Sequence, residues 1–243
     1  MTGLVETRDD GSLRRVRLNR PERANALSPE LVESLHAALD EAERDRVRGV
    51  VLEGSARHFC AGFDLGRLAE ESDATLAHRF LRIGLLLERL ASAPYVTLAV
   101  VTGSAVGAGA DLAAACDHRL GTPEASFRFP GAGFGVVLGT ARLASLVGPD
   151  LALELVAGRR LDGEQAAGAG LLSLCTPQDR LDGELGRIGA LMDRVHPVSA
   201  PALLRATRPA LDDGPLAALA RSVAIPGLHH RLLEHTRTPT PTR

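Results

Sequence analysis

The sequence predicts an α/β fold followed by a helical C-terminal region, and three observations carry that prediction. Two short apolar runs rich in β-branched residues, RGVVLEG (48–54) and YVTLAVVTG (95–103), read as buried parallel strands. Between them, LAHRFLRIGLLLERLAS places apolar residues at helical spacing, and strand alternating with helix is the α/β pattern. From about His196 the pattern changes to helical stretches broken by Pro197, Pro201, Pro209, Pro215 and Pro226, with no strand evident.

The remaining elements follow in chain order. LRRVRL (13–18) is an imperfect strand, with Leu13, Val16 and Leu18 set among three arginines. NRPERANALSPE is a loop ending in a helix start, where Ser28 caps and Pro29 takes the first helical position. That helix runs through LVESLHAALDEAERD. A further strand lies at DHRLG (117–121), and the stretch from Gly148 to Pro177 reads as two helices joined by a turn and then a strand. The core is expected over 1–195 and the helical region over 196–243, with the closing TRTPTPTR disordered.

Composition narrows the function. Among 243 residues, 28 Lys+Arg balance 30 Asp+Glu, which argues against nucleic acid or an anionic membrane as partner. Six Phe, one Tyr and no Trp leave no aromatic platform for stacking single-stranded bases. The opening residues lack the apolar core of a signal peptide, and no segment offers some eighteen uninterrupted apolar residues, so a cytoplasmic protein is expected. Cys60, Cys116 and Cys175 are odd in number and widely spaced, which favours buried reduced thiols over disulfides or metal ligands.

The stretch VTGSAVGAGADLAAACD (101–117) is the most informative. Residues with little or no side chain follow an apolar strand, and a lone acid, Asp111, stands at the head of an alanine-rich helix. Small residues let a ligand approach the main chain, whose N–H groups at a helix start donate hydrogen bonds. Gly107 and Gly109 lack the third glycine of a dinucleotide-binding turn, and no G-x-S-x-G surrounds Ser104.

Four stretches in this order resemble the crotonase (enoyl-CoA hydratase/isomerase) superfamily: LNRPERANALSPELVESL, GVVLEGSARHFCAGFDL, VTLAVVTGSAVGAGADLAAACDHRLG and LELVAGRRLDGEQAAGAGLLSLCTP. The resemblance spans roughly Leu18 to Pro177. It implies a spiral of ββα turns, an acyl-CoA thioester as substrate, no further cofactor, and assembly as a homotrimer or homohexamer. It also implies an oxyanion hole made by the backbone N–H groups of Phe63 and Ala108. Gly107 then becomes a close-approach position. By the same resemblance Arg23, Ala24, Ala26, Ala61, Phe63, Asp64 and Leu65 line the path of the CoA moiety, and Pro130 and Gly131 border the acyl group.

The sequence departs from the family pattern at the acids. Hydratases of this family place one glutamate where Asp111 stands and a second after the proline of an F-x-x-P-E motif, where FRFPG has Gly131. Aspartate is shorter by one C–C bond, about 1.5 Å. Adding water across a conjugated double bond needs one group to activate water and another to protonate carbon. Moving a double bond, or protonating an enolate left by loss of CO2, needs one. Isomerase, decarboxylase or other lyase chemistry is therefore expected over efficient hydration, with Asp111 as sole acid/base and its pKa raised by an apolar cleft. The alternative is a catalytically silent acyl-CoA-binding or assembly protein.

His58, His78, His229 and His230 are expected to be solvated or structural, Asp64 to cap the following helix, and Glu124 to be exposed. Chain length and branching of the acyl group are expected to depend on Leu65, Leu68, Phe80 and the segment after Pro130.

Overall fold

The computed structural model describes residues 3–210 and 214–237. The chain opens with a hairpin of β1 (Val5–Asp10) and β2 (Leu13–Leu18), turned at Gly11 with φ +62°. The sequence reading missed β1 because VETRDD shows no apolar alternation; it is an edge strand held to β2 by the ladder and by ion pairs such as Asp9–Arg14 at 2.7 Å. Next comes α1 (Pro29–Arg44), where the Ser28 hydroxyl accepts from Leu31 N and Leu31, Leu35 and Leu39 face the core.

Each following turn of the chain contributes two strands that diverge into different sheets, then helical structure. The first turn is β3 (Gly49–Glu53), β4 (His58–Cys60) and α2 (Asp73–Ser92). The second is β5 (Val96–Val101), β6 (Ser104–Val106) and α3 (Ala108–Ala114). The third is β7 (His118–Gly121) and β8 (Ser126–Arg128), a 3-10 turn at Pro130–Phe134, and α4 (Thr140–Val147). After α5 (Pro149–Val156) come β9 (Leu161–Asp162), α6 (Gly163–Gly168) and β10 (Leu174–Cys175), then helices α7 (Gln178–Asp193), α8 (Ala200–Thr207), α9 (Gly214–Val223) and α10 (Leu228–Arg237).

The larger sheet has the order β1-β2-β3-β5-β7-β10, parallel except at the β1 edge. The smaller has the order β4-β6-β8-β9, with β9 antiparallel to β8. This is the ββα spiral the resemblance implies. Strands β4, β6 and β8 escape a periodicity search because each has three residues, too few to show a repeat.

Helices α9 and α10 pack on α2: Leu219, Leu228 and Leu232 share one apolar cluster with Leu76, Phe80 and Val136. A side chain at Gly84 of α2 would fall 2.5 Å from the Leu219 side chain, so α9 packs close against α2 at this glycine. Burying a residue such as Leu232 contributes about 2 kcal/mol, so this packing holds the tail over the third spiral turn. Thr236 and Arg237 of TRTPTPTR form the end of α10; its remainder lies outside the described residues. Cys60 and Cys116 are buried free thiols, and Cys175 is only half-buried.

Candidate functional site

Two backbone turns meet at the spiral's centre. In the first, Leu27 and Phe63 form a parallel bridge in which Leu27 N donates to Gly62 O (2.7 Å) and Asp64 N to Leu27 O (3.3 Å). A bridge of this kind uses the groups flanking Phe63, so the N–H of Phe63 itself points away from Leu27 and has no acceptor among the described residues. In the second, β6 runs into Gly107 (φ +52°), whose N–H donates to Arg128 O (2.8 Å), and α3 begins at Ala108. As a first-turn residue Ala108 has no intrahelical acceptor for its N–H.

Glycine lets these turns approach. A side chain at Gly62 (φ +85°) would lie 2.4 Å from Val106 O and 3.2 Å from Ala108 N. One at Gly109 would lie 2.2 Å from Cys60 O. The run of small residues thus packs the start of α3 directly onto β4 and the Gly62 turn.

Beside both turns lies a cavity of about 230 Å³. Ala61, Phe63, Leu65, Gly107, Ala108, Asp111, Pro130 and Gly131 all line it, so most of the residues singled out in the sequence come together. Phe80, Phe134, Leu143 and Leu232 make much of the rest of the wall apolar. The Phe63 ring is sandwiched, with Phe80 stacked at 4.1 Å and the Arg79 guanidinium 4.0 Å from its centroid.

Asp111 is 7% exposed, and its carboxylate has no hydrogen-bond partner among the described residues. Burial pushes its pKa up to about 7, the charge of Arg142 acting in the opposite sense. Its carboxylate lies against Gly139, where a Cβ would fall 2.1 Å from Oδ1. Among the described residues Asp111 is the only carboxylate on the cavity wall, and Gly131 offers no second.

A polar cleft of about 650 Å³ lies on the other side of the 61–66 turn. Arg23 and Asp64 belong here. Asp64 does not cap a helix as expected: it pairs with Arg20 (2.6 Å) and accepts from Gly66 N (2.8 Å), which bends the chain into a tight turn instead. Arg79 donates to Asp64 O (2.7 Å) and pairs with Glu71. Arg23 and Arg67 line the cleft without an ion pair among the described residues.

Ala24 and Ala26 are in the lining of neither space. Ala24 sits at φ 50° and its carbonyl accepts from Ala61 N (3.0 Å), while Ala26 O accepts from Arg20 (3.0 Å); they shape the loop rather than its surface. Leu68 likewise packs in the cluster under α10. His58 bonds Ser104 Oγ (2.7 Å), His229 donates to Leu68 O (2.9 Å), His230 is exposed beside Glu234, and Glu124 is exposed. Sequence reading missed Arg128, Gly139 and His235, which also line the cavity. Nothing local marks His235, which is carried in on α10 and meets Phe134 edge-on at 5.0 Å.

Among the described residues no group of three or more His, Cys, Asp or Glu could hold a metal ion, and no helix is long and apolar enough to cross a membrane.

Comparison with known proteins gives a consistent picture. The family model described as enoyl-CoA hydratase/isomerase matches residues 8–220. The enoyl-CoA hydratase domain-containing protein 2, mitochondrial, of Bos taurus is 34% identical over 224 residues, covering 87% of this chain and 73% of that one. A crystal structure assigned to enoyl-CoA hydratase/isomerase from Bordetella parapertussis superimposes with a TM-score of 0.94 at 38% identity, covering 98% of this chain and 100% of that one. An enoyl-CoA hydratase/isomerase from Xanthobacter autotrophicus Py2 gives a TM-score of 0.84 at 26% identity, with coverage of 98% and 100%. The two-sheet spiral, the paired backbone turns and the match over most of its length place this chain in the enoyl-CoA hydratase/isomerase family of the crotonase superfamily.

Proposed function

We propose that the protein processes an acyl-CoA thioester through an enolate, by isomerase, decarboxylase or other lyase chemistry. The observation that carries this reading is a single buried carboxylate, with a pKa near 7, in the same cavity as two free backbone N–H groups. The N–H groups of Phe63 and Ala108 bind the thioester oxygen and strengthen their hold as it gains negative charge. Loss of one such donor costs about 3 kcal/mol of transition-state stabilisation in comparable sites.

Asp111 moves the proton. With a pKa near 7 it is present in both forms at neutral pH, which suits either direction of transfer. In isomerisation its carboxylate takes a proton from the α-carbon and its carboxylic acid returns one to the γ-carbon. In decarboxylation the C–C bond electrons pass into the enolate as CO2 leaves, and the carboxylic acid protonates the α-carbon. Hydration asks for a second proton carrier, and Gly131 stands where the family places it.

The CoA moiety runs along the polar cleft, with Arg23 and Arg67 as the cations open to its phosphates. Subunits assemble as a homotrimer or homohexamer; exposed Val198, Leu203 and Ile225 in the helical region support association. Mass measured in solution tests this.

The activity is tested by incubating the protein with 2-enoyl-, 3-enoyl-, malonyl- and methylmalonyl-CoA and identifying products by mass spectrometry, with Asp111→Asn as control. Asp111-dependent turnover of the 3-enoyl or malonyl class is expected. Hydration of the 2-enoyl thioester at the rate of a two-glutamate enzyme overturns the preference, and CoA binding without turnover of any class points to the silent binding protein.

A further inference from the structure

The cavity holds a charge the proposed chemistry does not use. Arg128, the last residue of β8, lines it and forms no ion pair or side-chain hydrogen bond among the described residues. Its neighbours differ in this respect: Arg142 pairs with Glu88 at 3.3 Å and Arg159 with Glu154. Burial, and after it the charge of Arg160, lower the Arg128 pKa. The β8–β9 ladder pairs Ser126 with Asp162 and Phe127 with Leu161, and Arg160, the residue just before β9, is close enough for its charge to act on Arg128. Arg160 also has no partner among the described residues.

Two like charges this close repel each other, and a half-buried guanidinium without a partner adds a desolvation cost. An uncharged acyl chain in this cavity would leave both costs standing. An anion between the two arginines removes them. Asp111 does not serve as that anion, since the cation that acts on it is Arg142.

We propose that Arg128, with Arg160 beside it, receives a second carboxylate carried on the acyl group, so that the substrates are dicarboxylic acyl-CoA thioesters. This rests on the acyl-CoA reading above and extends it. The bound carboxylate is one that stays on the product: a carboxylate leaving as CO2 would lose its ion pair in the transition state, and the arginines would then slow the reaction. The reacting carbons lie at Asp111 and the retained carboxylate at Arg128. The acyl cavity accordingly selects by charge as well as by length.

The test is calorimetric titration with thioesters matched in length, glutaryl- against pentanoyl-CoA and adipyl- against hexanoyl-CoA, with free CoA as reference. The wild-type protein is expected to bind at least one dicarboxylic member about ten-fold more tightly than its uncharged match, the scale of one charge-assisted hydrogen bond. Arg128→Met brings that ratio close to one, Arg128→Lys restores part of it, and Arg160→Gln, on the exposed side, reduces it less. If Arg128→Met does not fold, the Lys and Gln variants still report the ratio. Equal affinities within each pair in the wild-type protein overturn the proposal, as does a loss in Arg128→Met shared equally by both members, which would assign Arg128 to the CoA phosphates. If neither thioester nor CoA binds, the acyl-CoA reading fails and takes this proposal with it.

Discussion

Helix α3 carries an aspartate near its start and another just past its end, and the two have opposite surroundings. Asp117 is fully engaged: it accepts from Thr97 N (2.8 Å) and Thr97 Oγ1 (3.1 Å) and forms a double ion pair with Arg208 (2.7 Å to each oxygen). Arg208 also donates to the carbonyls of Ala93 and Tyr95, so this carboxylate fastens the segment after α8 to the larger sheet. Asp111 has no such partner and sits in an apolar cavity. A partnered carboxylate is spent on structure, whereas one buried without partners raises the energy of the folded state and is available to a substrate. A larger cavity, about 670 Å³, borders Asp117, yet its acid is already committed. Volume alone does not locate the chemistry.

The strongest way to break this contrast is Asp111→Asn, expected to lower turnover of the preferred thioester by about a thousand-fold while CoA binding persists. Unaltered turnover would remove Asp111 from the reaction. The same residue has a signature in stability. A folded pKa raised from 3.8 to about 7 means that the native state holds the proton more tightly. Its stabilising effect is therefore complete below pH 4 and lost as pH rises through 7, by about 4 kcal/mol in all. Urea unfolding at several pH values should show this slope in the wild-type protein and lose it in Asp111→Asn.

Gly139→Ala comes next in size. The added methyl contests the space of Asp111 Oδ1, and a shift of that carboxylate by about 1 Å is expected to lower kcat about a hundred-fold with little change in CoA affinity. Asp117→Asn should do the reverse: a loss of about 2 kcal/mol in unfolding free energy, moderated by partial solvent access, with turnover per folded molecule unchanged. A fall in turnover matching that of Asp111→Asn would erase the distinction between the two ends of α3. The smallest effect is expected for His58→Ala, which removes one hydrogen bond to Ser104, about 1 kcal/mol, and leaves kcat alone.

The sequence was most readable where local chemistry decides the outcome. Ser28 and Pro29 supply an N-cap and a first-turn proline in adjacent positions, and the apolar, β-branched run VTLAVV favours a buried strand. Likewise the Gly107-Ala108-Gly109 run predicts a close backbone approach, although only the fold reveals that Cys60 and the Gly62 turn are what approach it. Ala24 and Ala26 show the opposite case: their positions in a loop indicate neighbourhood to the site, but not which atoms face it.

By itself, then, the sequence determined the α/β alternation, the α3 turn, the lone acid at 111 and the glycine at 131, because each follows from residue type or spacing within a few residues. Only the tertiary structure decided that Gly139 abuts Asp111, that Arg128 lines the cavity within reach of the charge of Arg160, and that α10 brings His235 to its wall. Those relations join residues up to roughly a hundred positions apart through the packing of separate spiral turns. No local pattern records that packing, because it follows from burying the apolar faces of the turns against one another.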